Sequence, residues 1–225
     1  MKMIVRELPQ PQTLARAAAI RAVSLPTIGH YLEEGFVDPE IRMLVGDGSN
    51  VAGPAVTVRT TATDSTALHH AAGMIEDGQF VVIDTGGDRF HAPLGEVVAT
   101  QLQVRGAAGV IVDGVVTDIE QLRRIGLPVY ARGTSLLTTK LLGAGGGGIG
   151  MPISCGGVTV SGGDIVLADA NGALVLAPEV LDEVIDEALA DDASEPELLA
   201  AVSRGQLLGQ LTGATELVSE RTRAG

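Results

Sequence analysis

The sequence predicts an α/β layer domain with a mixed central sheet, helices on both of its faces and further helices at the C-terminus. Three observations carry this expectation. The apolar runs at 80–83 and 109–112 are of the unbroken kind seen in strands buried on both faces. Stretches with helical spacing of apolar residues lie between and after them, so strand and helix alternate. Past residue 150, short strand-like runs follow one another, divided by Gly162-Gly163 and Asn171-Gly172, turn pairs of the kind that join hairpins.

The opening block is polar and apolar by turns, and residues 14–22 read as a short helix that breaks before Pro26. Residues 53–59 alternate at period two and read as a half-buried strand. Asp64 is placed to cap a helix over 65–76 that stops near Gly78, with Leu68, Ala71, Ala72 and Ile75 on its inner face. The strand at Phe80 ends in Asp84, a loop covers 85–94, and Gly95 opens a helix over 96–105. Beyond the strand at Gly109, residues 118–125 are amphipathic with Ile119, Leu122 and Ile125 inward, and 128–131 make another short strand. Four glycines at 145–148 lack the Lys-Ser/Thr that a phosphate loop needs. The late strands are 158–160, 164–169 and 173–177; residues 178–192 form a helix with an acidic face, and Pro196 opens a last helical segment over 196–208. No linker divides the chain. Residues 1–225 read as one domain, with a core at about 53–178, a helical block at 1–50 and a helical extension at 179–225.

Composition narrows the partners. A net charge of −13 argues against nucleic acid, whose phosphates require clustered Lys and Arg. Aromatics make up only 2 %, so the core is built from Val, Ile, Leu and Ala. The single Cys155 excludes an internal disulfide and a cysteine-rich zinc site, and reads as a small buried residue. With no long apolar run for a leader or a membrane span, the expected compartment is the cytoplasm.

Ligands of open α/β sheets bind beyond the carboxyl ends of the strands. Two strand ends would here face one crevice with Asp84, Asp88, Glu96, Asp113 and Asp118 around it, and that many carboxylates suggest a cation. Each also has a structural reading. Asp118 could cap the helix that begins at Ile119, Glu96 favours a helix N-terminus through the dipole alone, and Asp113, before Gly114, reads more readily as a turn residue than as a ligand. His91, on the loop near Arg89 and Glu96, is a candidate general acid/base. His69 and His70, inside a helix, read as structural. His30 with Glu33 and Glu34 could join a site from the N-terminal block.

Gly95-Glu96-Val97-Val98-Ala99, Asp113 to Asp118, Pro128 to Thr134, Gly156 to Val160 with Gly163-Asp164, and Asp169 to Pro178 together resemble the RraA-like family. That family holds metal-dependent 4-hydroxy-4-methyl-2-oxoglutarate aldolases and regulators of ribonuclease activity. The resemblance implies a layered α/β/α swivelling-type domain and a lyase, acting by aldol cleavage or decarboxylation on a small 2-oxo or hydroxy acid with Mg2+ or Mn2+. It implies that the amides of Gly95, Glu96, Val97 and Val98 hold the substrate carboxylate, as the open donors of a helix N-terminus can. Asp118 would hold the metal, with Glu96 in its outer shell. Thr117 stands where the family has arginine, and threonine cannot replace that permanent charge and fork of donors. Turnover of 4-hydroxy-4-methyl-2-oxoglutarate or oxaloacetate is therefore expected to be weak. Arg89 could move toward the same ligand; Arg132 is a weaker candidate, since an arginine there belongs to the family pattern. The resemblance also implies a homotrimer or a dimer of trimers, with Glu195 or Glu197 completing the neighbouring subunit's site. A regulator that binds a ribonuclease or another protein, and an enzyme of this fold with diverged chemistry, are the alternatives. A small anionic substrate and other copies of the chain are the expected partners; nucleic acid and membrane are not.

Overall fold

The computed structural model of the chain describes residues 2–8 and 20–223. The expected helix over 14–22 falls mostly outside them. In chain order the strands are β1 (Ile4–Val5), β2 (Arg42–Val45), β3 (Val51–Arg59), β4 (Phe80–Asp84), β5 (Gly109–Val116), β6 (Val129–Thr134), β7 (Gly148–Ile149), β8 (Ile153–Cys155), β9 (Val158–Val160), β10 (Ile165–Asp169) and β11 (Gly172–Leu176). The helices are α1 (Leu25–Ile28), α2 (Thr66–Ala72), α3 (Glu96–Val104), α4 (Ile119–Ile125), α5 (Pro178–Ser203), α6 (Leu208–Leu211) and α7 (Ala214–Arg223).

The sheet is mixed. β3, β4, β5 and β6 are parallel neighbours in that order. β2 closes the far edge antiparallel to β6, while β7 and β10 pair antiparallel with opposite ends of β3. Val56, Val58, Val81, Ile83, Val110 and Val112 form a buried layer under α2, α3 and α4, where Leu68, Leu102 and Leu122 meet them. Ala55, Val82, Ile111 and Tyr130 point the other way, toward Ile153, Cys155, Val160 and Val166. Helices thus cover one face directly, whereas β8–β9 and the β10–β11 hairpin cover the other. Alternation along β10 explains the extra layer: Val166 and Ala168 join this second core, while Ile165 and Leu167 face outward to Leu181 and Ala188 of α5.

Three local expectations change. The strand over 53–59 is buried almost throughout, because Thr57, whose polarity suggested a solvent face, donates its hydroxyl to the Met151 carbonyl at 2.7 Å. Gly162-Gly163 does not join a hairpin, since β9 pairs with β8; the turn at Asn171 does, and Asp169 faces Gly172 across it. Pro196 opens no new helix, for α5 runs through it as one helix of 26 residues. Its acidic residues stay in use: Asp192 accepts the Ser24 amide and the Thr27 hydroxyl, pinning α5 to α1. Among the described residues no helix is long and apolar enough to cross a membrane.

Candidate functional site

The candidate site lies where β5 ends and α3 begins. Leu94 and Val116 form a bridge, and the Thr117 amide donates to the Leu94 carbonyl at 2.9 Å, so the loop before α3 is tied to the end of β5. Asp118 follows in left-handed conformation, with φ 55° and ψ 40°; among the described residues no other non-glycine has positive φ. Such a backbone costs of order 1 kcal/mol and persists where its surroundings over-determine it.

Those surroundings are visible. The Asp118 carbonyl accepts the Gln121 and Leu122 amides at 2.9 Å and so starts α4. Its carboxylate makes no bond to that helix. Instead Oδ2 accepts the Glu96 amide at 2.9 Å, the first of α3, and Oδ1 faces only the Thr117 hydroxyl at 3.3 Å. Asp118 thereby caps its neighbour rather than its own helix. Gly95 permits the approach: a Cβ there would lie 2.5 Å from Asp118 Oδ2 and 2.8 Å from Thr117 Cγ2. With the Glu96 amide engaged, the donors of the first turn left for a ligand are Val97 and Val98.

A cleft of about 280 Å³ opens beside these groups; Gly95 to Val98, Thr117 and Asp118 line it together with His69, Thr139 and Lys140. Sequence reasoning missed two of these. His69 reads as structural, yet it is exposed on the rim, opposite the face that buries Leu68, Ala71 and Ala72; the helical spacing of those three was the available signal. Lys140 had none, because it sits in an irregular segment with no periodicity.

The crowded crevice of five carboxylates does not form. Asp84 pairs with Arg59 and accepts the Gly86 and Ser154 amides. Asp113 lies within β5 rather than in a turn, where the pairing with β6 shifts register, and it binds Arg132 Nε at 2.6 Å and the Gly156 amide at 2.7 Å. Asp88 accepts the Phe90 and His91 amides and contacts His91 Nδ1 at 3.1 Å. Burial works to raise the Asp88 carboxyl, but these bonds outweigh it and the net shift is downward. His91 is thus turned to its own loop, and Arg89 pairs with Glu40 at 3.1 Å; neither lines the cleft. Arg132, held by Asp113, Asp38 and Glu40, has a side chain only 8 % exposed. His30 borders a separate recess with Asp191 and Glu195, and Glu33 and Glu34 another groove. Glu195 and Glu197 ride on α5, outside the cleft of their own chain. Cys155 is buried, and burial pushes its thiol up.

Among the described residues no three His, Cys, Asp or Glu converge as a metal-binding group. What the cleft offers is the exposed pair Glu96 and Asp118. That donor set suits a hard cation that keeps several waters and is held by one or two carboxylates, rather than a closed zinc site.

A family profile described as RraA-like, Aldolase/RraA, matches residues 27–175. A protein of Halalkalibacterium halodurans named "Putative 4-hydroxy-4-methyl-2-oxoglutarate aldolase" is 33 % identical over 159 residues, covering 71 % of this chain and 75 % of its own length. The RNA-processing inhibitor RraA from Thermus thermophilis superimposes with a TM-score of 0.61 at 26 % identity, over 68 % of this chain and 92 % of the other. Streptomyces coelicolor RraAS2 does so with a TM-score of 0.69 at 24 % identity, over 87 % and 98 %, a likeness of fold.

Proposed function

The chain belongs to the RraA-like (Aldolase/RraA) family, and from that premise we propose that it is a divalent-metal-dependent carbon–carbon lyase acting on a small 2-oxo or hydroxy acid. One observation carries the reading: the open Val97 and Val98 amides and the Asp118 carboxylate border the same cleft. A helix N-terminus binds anions through such amides. Asp118 Oδ1, with Glu96 beside it through water, would hold Mg2+ or Mn2+; when bound, the ion supplies polarisation of the substrate carbonyl.

For an acid of the 4-hydroxy-4-methyl-2-oxoglutarate type, the C4 hydroxyl loses a proton and the C3–C4 bond breaks, its electron pair passing to C3 and the C2 carbonyl. C3 then takes up a proton, which leaves two molecules of pyruvate. The Val97 and Val98 amides orient the C1 carboxylate during this step. His69 is the imidazole that lines the cleft, and imidazole is the side chain suited to exchanging such protons near neutrality. His91 and Arg89 would act only if the 85–94 loop moved. Thr117 leaves the substrate without the arginine fork. A hydrogen bond to a charged group contributes about 1.5–3 kcal/mol, so slow turnover of such acids is the expectation. Calorimetric titration with Mn2+ tests the reading, because Asp118→Ala should abolish binding that wild type shows; equal affinity in both would overturn it.

A second reading, a regulator that binds a ribonuclease, draws support from the 26 % identical RNA-processing inhibitor. Leu136, fully exposed on the segment whose residues 138–141 line the cleft, gives such a partner an apolar contact. Inhibition of a purified RNA-processing ribonuclease that persists in Asp118→Ala would favour it.

A further inference from the structure

The cleft is electrostatically unbalanced for an anion. Glu96 and Asp118 line it in a protein of net charge −13, and Thr117 brings no charge. Among the described residues lining it, the one lysine or arginine is Lys140, which with Lys2 makes up all the lysine of the chain.

Lys140 lies on a strap, residues 135–142, of which 138–141 line the cleft and which is bonded to the segments at 63–65 and 92. The Ala92 amide donates to the Leu137 carbonyl at 2.8 Å, and the Thr139 amide to the Ala92 carbonyl at 3.2 Å. The Lys140 amide donates to the Thr63 carbonyl at 2.8 Å, and its carbonyl accepts the Ser65 amide at 3.0 Å. The backbone of Lys140 is therefore fixed on both sides. Its ammonium is exposed and donates to neutral acceptors, the Thr138 carbonyl at 3.0 Å and the Thr138 hydroxyl at 3.4 Å. Arg59, Arg89 and Arg132, by contrast, are each committed to carboxylates. A cation on a fixed backbone, held only by neutral groups beside a cleft, can turn to an incoming anion without breaking an ion pair.

We propose that Lys140 is a specificity-determining residue of this cleft, gripping the far carboxylate of a 2-oxo dicarboxylate whose first carboxylate rests on the Val97 and Val98 amides. This rests on the reading of the cleft as a 2-oxo acid site. Val97, Val98 and Lys140 line the same cleft, which offers two separate donor groups, one for each carboxylate of such a ligand. At about 280 Å³ the cleft is at the small end of ligand pockets, which suits a short acid. The oxoglutarate skeleton in the name of the Halalkalibacterium relative carries such a second carboxylate at C5.

The test uses two five-carbon acids, 2-oxoglutarate and 2-oxovalerate, which differ in that second carboxylate alone. Each is titrated calorimetrically, with Mg2+ present, into wild type, Lys140→Met and Lys140→Arg. Wild type should prefer 2-oxoglutarate by about tenfold or more, the scale of one hydrogen bond to a charged group. Lys140→Met should lose that preference with 2-oxovalerate affinity unchanged, and Lys140→Arg should keep most of it. The exposed side chain lets the fold survive, which matched melting curves check. If Lys140→Met retains the preference, or loses both acids equally, the role of Lys140 is overturned while the 2-oxo acid site stands. If wild type binds neither acid, the site reading falls and this proposal with it.

Discussion

Replacing Asp64 with asparagine should destabilise the protein by about 2 kcal/mol and loosen the strap that carries Lys140. Asp64 is only 5 % exposed. Its Oδ1 accepts the Thr66 amide at 2.9 Å, the Thr66 hydroxyl and the Leu142 amide at 3.2 Å, while Oδ2 accepts the Ala144 amide at 2.8 Å. One carboxylate thus caps α2 and anchors the chain just past the strap. Burial pushes the Asp64 carboxyl up, but the Thr66 hydroxyl and the Thr66, Ala144 and Leu142 amides outweigh it and hold the pKa at about 2, against 3.8. One pKa unit corresponds to about 1.4 kcal/mol, so the ionised carboxylate contributes roughly 2 kcal/mol. The folded pKa is depressed, so this contribution is fully present above pH 3.8 and is lost as pH falls through about 2. For a chain of this length such a loss lowers Tm by about 4–8 °C. Urea unfolding of wild type and Asp64→Asn between pH 7 and pH 2.5 reads both effects. The gap between the two proteins should be widest at neutral pH and shrink below pH 4. A gap under about 0.5 kcal/mol at pH 7, or one that does not vary with pH, would refute the argument.

Other outcomes follow from the same geometry. Gly95→Ala puts a Cβ against the Asp118 carboxylate; overpacking of this kind costs about 1–3 kcal/mol, and calorimetry should show weaker Mn2+ binding alongside a lower Tm. Thr117→Arg should raise oxaloacetate turnover if the rest of the site is intact, measured as pyruvate release; robust turnover by wild type would mean that another group already supplies the charge. Light scattering should give a trimer or hexamer of the 23.0 kDa chain, and a monomer at micromolar concentration would refute the ring. Within such a ring, Glu195→Ala or Glu197→Ala should weaken metal binding without dissociating it.

The sheet was legible because its strands are locally explicit. The runs at 80–83 and 109–112 are continuous and apolar, and β4 begins with its run and extends past it only by Asp84. Leu68, Ala71 and Ala72 gave the buried face of α2 by spacing alone. Reading the carboxylates was harder, since an acid at a strand end looks the same whether it waits for a ligand or pairs with an arginine. Asp84 and Asp113 pair with Arg59 and Arg132, 25 and 19 residues away along the chain, and no local pattern announces such partners. The bond of Asp118 was not legible either: an acid before a helix suggests a cap for that helix, whereas its carboxylate accepts the first amide of α3. The strap was invisible because it is irregular, and its backbone-to-backbone hydrogen bonds go to residues 63, 65, 92 and 116 rather than along itself.

The central claim is that the cleft beside Asp118 performs metal-dependent carbon–carbon cleavage. The most direct measurement is pyruvate release from 4-hydroxy-4-methyl-2-oxoglutarate by wild type and Asp118→Ala, each with Mg2+ and with excess EDTA. The account predicts slow release by wild type with Mg2+, and none above the uncatalysed rate with EDTA or in Asp118→Ala. Release that is indifferent to EDTA and to the substitution, or absent from wild type with both Mg2+ and Mn2+, would contradict it.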